Sequence, residues 1–314
     1  MPLMDLDKRM KLYELPRKLP INMPVILRLD GRAFHTFTRK FKKPFDDNFM
    51  DMMNQVGLAI CDDVQNARLA YLQSDEISVL ILNRLESSCW FDNDVQKICS
   101  ISASLASSVA TSFAREIGIG SNICFDARAN VYPLNDVVNY MVYRQRDWER
   151  NSLQMLARSF YSQKALQNKG NEQMHDLIHA KGENWNDLPT RWKRGRCIVK
   201  VKYDAHVKNE HFEGDVERSK WVVDNEIPIF TKDRRYIERR LEDDYLVSGT
   251  EDGLLTKEKL ENMIRGLPPL GLEAEEEDKC PKCNGCGRIP LPDAATNKMR
   301  SHENCPDCKG TGMR

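Results

Sequence analysis

Apolar and polar positions change period several times along the first half of the chain. Met23-Pro24-Val25-Ile26-Leu27-Arg28-Leu29 is a short apolar run with β-branched residues at its centre, and it ends at the turn dipeptide Asp30-Gly31, which predicts a strand. From Asp46 to Asn66 the residues Phe49, Met52, Met53, Val56, Ala59, Ile60 and Val64 recur at helical spacing behind leading aspartates. Leu69 to Gln73 reads as a second strand, Ser74-Asp75 as a tight turn, and Ile77 to Leu82 as a strand buried on both faces. Lys97 to Glu116 is a Ser- and Ala-rich helix suited to close packing, and Cys124 to Tyr132 is another strand. Strand, helix, strand, strand, helix, strand is the split βαβ, or ferredoxin-like, order of an α+β fold. A helical region follows from about Asn135 to Asn168, and Arg196 to Tyr203 returns as a strand. Residues 204 to 270 are charged and mixed, and Glu273-Ala274-Glu275-Glu276-Glu277-Asp278 is an acidic linker before a Cys-rich tail.

The ferredoxin-like order has a chemical consequence. Its third strand runs antiparallel between the first two, so the end of the first strand and the turn between strands two and three share one sheet edge. Asp30 stands at the first place, and Asp75 and Glu76 at the second. Carboxylates so gathered raise one another's pKa unless a cation neutralises them. Hard oxygen ligands suit Mg²⁺, and two such ions can serve phosphoryl transfer. Gly31, without a side chain, leaves its carbonyl open to a metal. Asp-Gly and Ser-Asp-Glu are also ordinary turn sequences, so pattern alone leaves both readings standing.

The 314 residues carry 47 basic and 47 acidic side chains, a formal net charge of zero. A nucleic-acid partner would therefore have to use a local basic surface. Ten cysteines raise the question of disulfides, but Cys61, Cys89, Cys99, Cys124 and Cys197 are scattered, which suits a reducing compartment. No apolar run has membrane-spanning length and the N-terminus lacks a signal-peptide core, so the expected location is cytoplasmic, with no membrane partner.

The tail repeats itself. Cys280-Pro-Lys-Cys283-Asn-Gly285-Cys286-Gly287 reads C-x-x-C-x-G-x-G, and Cys305-Pro-Asp-Cys308-Lys-Gly310-Thr-Gly312 reads the same. Two such knuckles about twenty residues apart predict one tetrahedral Zn²⁺ held by Cys280, Cys283, Cys305 and Cys308, a structural zinc ribbon. Cys286 and His302 break the repeat and rank below the four. A segment this small would need its metal to fold. The repeats resemble the zinc-binding region of DnaJ-type chaperones, but there are two of them and no His-Pro-Asp, so the chain is not read as a J-protein.

The run Arg28-Leu29-Asp30-Gly31-Arg32-Ala33-Phe34-His35-Thr36-Phe37, then Lys43-Pro44-Phe45-Asp46, then Tyr71-Leu72-Gln73-Ser74-Asp75-Glu76, resembles the tRNA-His guanylyltransferase family. Phe125-Asp126-Ala127-Arg128, Val131-Tyr132-Pro133 and Arg144-Gln145 before Asn151 continue the resemblance in order, and it covers about residues 1 to 240. It implies a polymerase-like palm over 1–203, the family's C-terminal extension and a linker over 204–272, and the zinc module over 273–314. It further implies 3′-to-5′ nucleotide addition at the tRNA 5′ end after activation of the 5′ phosphate by ATP or GTP. Two Mg²⁺ would be held by Asp30, the Gly31 carbonyl and Asp75, with Glu76 as a third catalytic carboxylate. The nucleotide would be held by Asp30, Gly31, Arg32, Ala33, Phe34, His35, Ser74 and Asp75. Lys43, Lys97, Arg128 and Asn151 would hold triphosphate or the tRNA 5′ phosphate. A homotetramer is implied as well.

One departure bears on substrate choice. The eukaryotic guanylyltransferases carry His-Ile-Asn-Asn-Leu after the Arg-Gln pair, where this chain has Glu149-Arg150-Asn151-Ser152-Leu153. A carboxylate in place of an imidazole, expected to face substrate and repel phosphate, resembles the family's template-dependent branch, which repairs 5′-truncated tRNAs. Strict addition of one G to tRNA-His is the alternative, and a non-catalytic zinc-ribbon RNA-binding protein is a more distant one, opposed by intact Asp30 and Asp75. Arg191-Trp192-Lys193-Arg194-Gly195-Arg196 reads equally as an RNA contact or as amphipathic packing. Trp148, Trp185, Trp192 and Trp221 read as core, and His175 and His179 as an ordinary helix surface.

Overall fold

The computed structural model describes residues 17–209 and 212–243 without a break, with short pieces at 9–10, 13–14, 247–248, 288–290 and 302–304. The first strand, β1 (Pro24–Gly31), is followed by helix α1 (Asp47–Asp63), strands β2 (Ala67–Gln73) and β3 (Glu76–Leu82), helix α2 (Val95–Glu116) and strand β4 (Phe125–Val131). Asp46 caps α1 by accepting from the Phe49 amide at 3.2 Å, and Asp94 caps α2 through the Lys97 amide at 2.9 Å. The strands lie in the order β4-β1-β3-β2, and every pair is antiparallel. The expected ferredoxin-like unit is therefore present, with β3 in its middle and buried throughout.

Its two faces differ in chemistry. Val25, Leu27, Leu29, Ile77, Val79 and Ile81 turn one way and join Met53, Val56, Ile60, Ile98, Ala106 and Ala110 of α1 and α2 in the main core. The alternate positions turn the other way: Arg28 lies opposite Ser78 and Arg128, and Asp30 opposite Glu76 and Asp126. Helix α3 (Val137–Phe160) lies on this polar side, where Tyr140 shares a 2.8 Å hydrogen bond with Ser78.

Four expectations need correction. Strand β1 continues through Asp30 to Gly31, because Gly31 still pairs with Phe125 of β4. The long helix expected to Asn168 stops at Phe160; Tyr161 is extended, Ser162 caps a separate single turn at Gln163–Leu166, and α4 follows at Asn171–His179. The strand expected to end at Tyr203 is β5 (Arg196–Asn209), which pairs residue for residue with β6 (Phe212–Asp224) and adds to the free side of β2. A short β7 (Val247–Ser248) runs parallel to β5. Finally, the expected boundary after residue 203 falls inside β5, and the first compact unit extends to Met263.

The second unit, Ile264–Arg314, contains β8 (Arg288–Pro290) paired antiparallel with β9 (His302–Asn304). The expected ligands Cys280, Cys283, Cys305 and Cys308, together with Cys286 and the acidic linker, lie outside the described residues. No helix among the described residues is long and apolar enough to cross a membrane.

Candidate active site

Asp30 and Asp75 are brought together by backbone. Ser74 and Asp75 form the two-residue turn between β2 and β3, with Ser74 in the left-handed region at φ 45°. The Gly31 amide donates to the Asp75 carbonyl at 3.2 Å, which pins that turn against the end of β1. Only glycine fits at 31: a Cβ there would stand 2.2 Å from the ring of Phe34, itself buried among Phe37, Phe49 and Phe125.

The electrostatics match this convergence. Burial first, then the facing charge of Asp126, raises the Asp30 carboxyl above its ordinary value, while Arg28, Arg128 and Arg144 pull the other way. Burial pushes Asp75 up to about 6; a hydrogen bond from Ser74 opposes this, and the charges of Asp30 and Glu76 add to it. Two acids that each resist ionisation are short of positive charge.

Glu76 is not a third free carboxylate. Arg144 Nε donates to one of its oxygens at 2.7 Å and Arg144 Nη2 to the other at 2.6 Å, and Gln73 and Ser78 add further donors at 3.2 and 3.3 Å. A carboxylate in a bidentate guanidinium clamp holds strand to helix and has its charge matched by a cation already. Arg144 also lies 3.4 Å from Asp147, which accepts from Arg150 and, at 3.4 Å, from Asn151.

A cleft of about 430 Å³ opens beside the acids. Phe34, His35, Lys43, Ser74 and Asp75, all expected nucleotide contacts, line it, and Arg32 and Ala33 adjoin it in the chain. Phe41, Phe45, Phe49, Trp148 and Met155 supply apolar walls, and Arg158 and Arg196 supply cations. Arg196 is buried, with Asn54 and the Met50 carbonyl as its neutral hydrogen-bond partners.

The remaining expected phosphate contacts separate. Arg128 is exposed on β4, two residues from Asp126 and 3.6 Å from its carboxylate, so it stays near the acids. Asn151 is one helical turn beyond Asp147 and outside the cleft lining. Lys97 lies apart from the acids: β3 leaves the acidic edge at Glu76 and ends at Leu82, and α2 starts beyond that far end, where Asn83 bonds Asn93 at 2.6 Å. A seven-residue strand puts Lys97 about 20 Å from Asp30. Glu149 does not face the cleft either; it pairs with Arg194 at 3.1 Å.

Asp126 and Arg158 were missed as candidates, and Arg196 was not expected in the cleft. Asp126 was recoverable, because ferredoxin-like order puts β4 beside β1. Nothing local marks Arg158, and Arg196 was marked only as the end of the basic segment Arg191–Arg196. In the basic segment, Arg191 pairs with Asp47 at 3.1 Å and Trp192 stacks on Phe45 at 5.3 Å, so packing accounts for most of it. Trp148, Trp185 and Trp221 are buried as expected, and Trp192 is half-exposed.

The model of the family "Thg1: tRNAHis guanylyltransferase" matches residues 7–133. A solved bacterial tRNA(His) guanylyltransferase (Thg1)-like protein in complex with ATP is 40% identical, with TM-score 0.68, over 76% of this chain and 99% of that one. This chain belongs to the tRNA(His) guanylyltransferase (Thg1) family. Membership makes it a nucleotidyltransferase. A bacterial Thg1-like protein in complex with GTP matches at 40% identity and TM-score 0.64, over 75% of this chain and 98% of that one. Among family sequences, the tRNA(His) guanylyltransferase of Schizosaccharomyces pombe is 28% identical over 68% of this chain and 87% of its own length. The probable enzyme of Drosophila melanogaster is 26% identical over 61% and 72%.

Proposed function

We propose that this chain adds nucleotides to the 5′ end of tRNA in the 3′-to-5′ direction, and that base pairing with the opposite strand selects the nucleotide. The observation that carries the reaction is the meeting of Asp30 with Asp75, which lines a cleft with aromatic walls and the cations Lys43 and Arg158. Apolar rings suit a nucleobase, and the cations suit a triphosphate.

The acids fit Mg²⁺. They are hard oxygen donors, and their carboxyls are raised by burial and facing acidic charge. Mg²⁺ commonly takes one or two carboxylates and completes its shell with water and phosphate. When bound, two Mg²⁺ would neutralise charge developing on the phosphoryl oxygens. The residues present do the rest. Lys43 and Arg158 hold the triphosphate in line, and the aromatic walls orient the base and exclude water. Arg144 matches the charge of Glu76 and fixes the strand that carries Asp75. In the first step an oxygen of the tRNA 5′ phosphate attacks the α-phosphorus of ATP or GTP and pyrophosphate leaves. In the second, the 3′ hydroxyl of an incoming nucleotide attacks the activated 5′ phosphorus and the nucleoside monophosphate leaves.

Templated choice is supported by the chain's greater likeness to the bacterial Thg1-like proteins than to the two guanylyltransferases compared by sequence. The imidazole of the eukaryotic motif is absent here, although Glu149, held by Arg194, is not available to repel phosphate as first expected. A panel of 5′-truncated tRNAs differing at the templating base, each offered all four nucleotides, should show the added nucleotide following the template on several tRNAs. Addition of G alone, confined to tRNA-His, would overturn this in favour of strict guanylyl transfer. Cytoplasmic action and a homotetramer belong to the same reading.

The C-terminal unit we assign to one structural Zn²⁺. The doubled C-x-x-C-x-G-x-G supports this, as does the β8–β9 pair, whose facing ends Arg288 and Asn304 adjoin Gly287 and Cys305 in sequence. Metal analysis of full chain prepared without chelator should give about one zinc per chain, and Cys305→Ser should lower it. Zinc-free full chain would remove the assignment.

A further inference from the structure

A second cleft, of about 630 Å³, lies beside the active-site cleft, and Arg158 lines both. It is formed where α3 ends and the chain turns through Gln163–Leu166 towards α4. Arg158, Lys164 and Lys169 are exposed along it, and no described residue forms an ion pair with any of the three. No carboxylate lines it among the described residues. Three like charges in one cleft of a chain whose net charge is zero are a local anion-attracting surface. Gln154, Gln163 and Gln167 add amide donors and acceptors, and the buried Leu166 and Met174 form an apolar floor.

Cations for phosphate, amides for base edges and an apolar floor for a base face are together the complement of a nucleotide. The cleft has the volume for one or two nucleotides and not for a duplex. Paired RNA hides its base edges, whereas unpaired ends can splay bases into a protein. A tRNA whose 5′ terminus lies at Asp30 and Asp75 carries an unpaired 3′ tail beside that terminus. We propose that this second cleft holds the unpaired 3′ tail of the tRNA being extended. Arg158, shared by the two clefts, then meets triphosphate in one and a phosphate of the tail in the other. The proposal rests on the reading of the chain as an enzyme acting at the tRNA 5′ end.

Fluorescence anisotropy tests it. A 5′-truncated tRNA labelled away from both ends is titrated with full chain, with its 3′ tail intact or trimmed to the duplex. The wild type should bind the tailed RNA about tenfold more tightly. Lys164→Glu/Lys169→Glu should bind both RNAs equally, with a log–log salt slope on tailed RNA lowered by about one per lysine. Both lysines are exposed, so melting temperature and calorimetric ATP binding should match wild type. Equal wild-type affinity for the two RNAs would overturn the proposal. So would a variant that loses affinity for tailed and trimmed RNA alike, since its lysines would then touch the duplex. If the wild type bound neither RNA, the tRNA reading itself would fall, and this proposal with it.

Discussion

Asp75→Ala is expected to lower nucleotide addition by about 10³-fold or more while leaving the protein folded. The loss follows from removing one of two hard ligands from a site whose task is to neutralise phosphoryl charge, an effect worth several kcal/mol at about 1.4 kcal/mol per tenfold. Folding should survive because the turn is held through the Asp75 carbonyl, which accepts from Gly31, and the substitution keeps that carbonyl. Removing a carboxylate that burial and its acidic neighbours disfavour relieves repulsion, so the melting temperature should hold or rise. Asp30→Ala should behave alike. The measurement is incorporation of labelled nucleotide into a 5′-truncated tRNA across a Mg²⁺ titration, beside a thermal melt. Normal turnover by either variant would show that the metal assignment is wrong.

The largest effect on stability is expected at Arg144. Its side chain and that of Glu76 are 9% and 12% exposed, so Arg144→Met leaves a buried carboxylate without its cation. Breaking such a pair costs about 3–5 kcal/mol. The double variant Arg144→Met/Glu76→Met removes both charges and should recover most of that loss. Urea denaturation of the wild type, both single variants and the double variant closes the cycle. Additive losses would show that the two side chains do not act as a pair.

The parts of this fold that sequence patterning revealed are those whose side chains face a core. Strands β2 and β3 are buried on both sides, α1 and α2 repeat at helical spacing, and the turn at Ser74-Asp75 separates two strong strands. From these the strand order follows, and with it the meeting of Asp30 and Asp75. The hairpin of β5 and β6 was hidden because from Asp204 onwards its residues are mostly charged or polar, and its pairing is made backbone to backbone. The pairing of Glu76 was hidden because patterning locates a carboxylate without showing what it bonds, and its partner lies 68 residues away. The position of Lys97 was hidden for a different reason. A motif aligned in order says which residues recur, and topology decides which end of the sheet each one reaches.

The side chain of Gln145 donates to the Pro228 carbonyl at 2.9 Å and accepts from the Phe230 amide at 2.8 Å. This clasp ties α3 to a segment 85 residues further along the chain. During synthesis, the four palm strands leave the ribosome well before that segment does. At that stage Arg28, Glu76 and Ser78 stand on a sheet face whose covering helix is not yet fastened. The acidic edge thus assumes its final form late in translation, although every acid that defines it was made early.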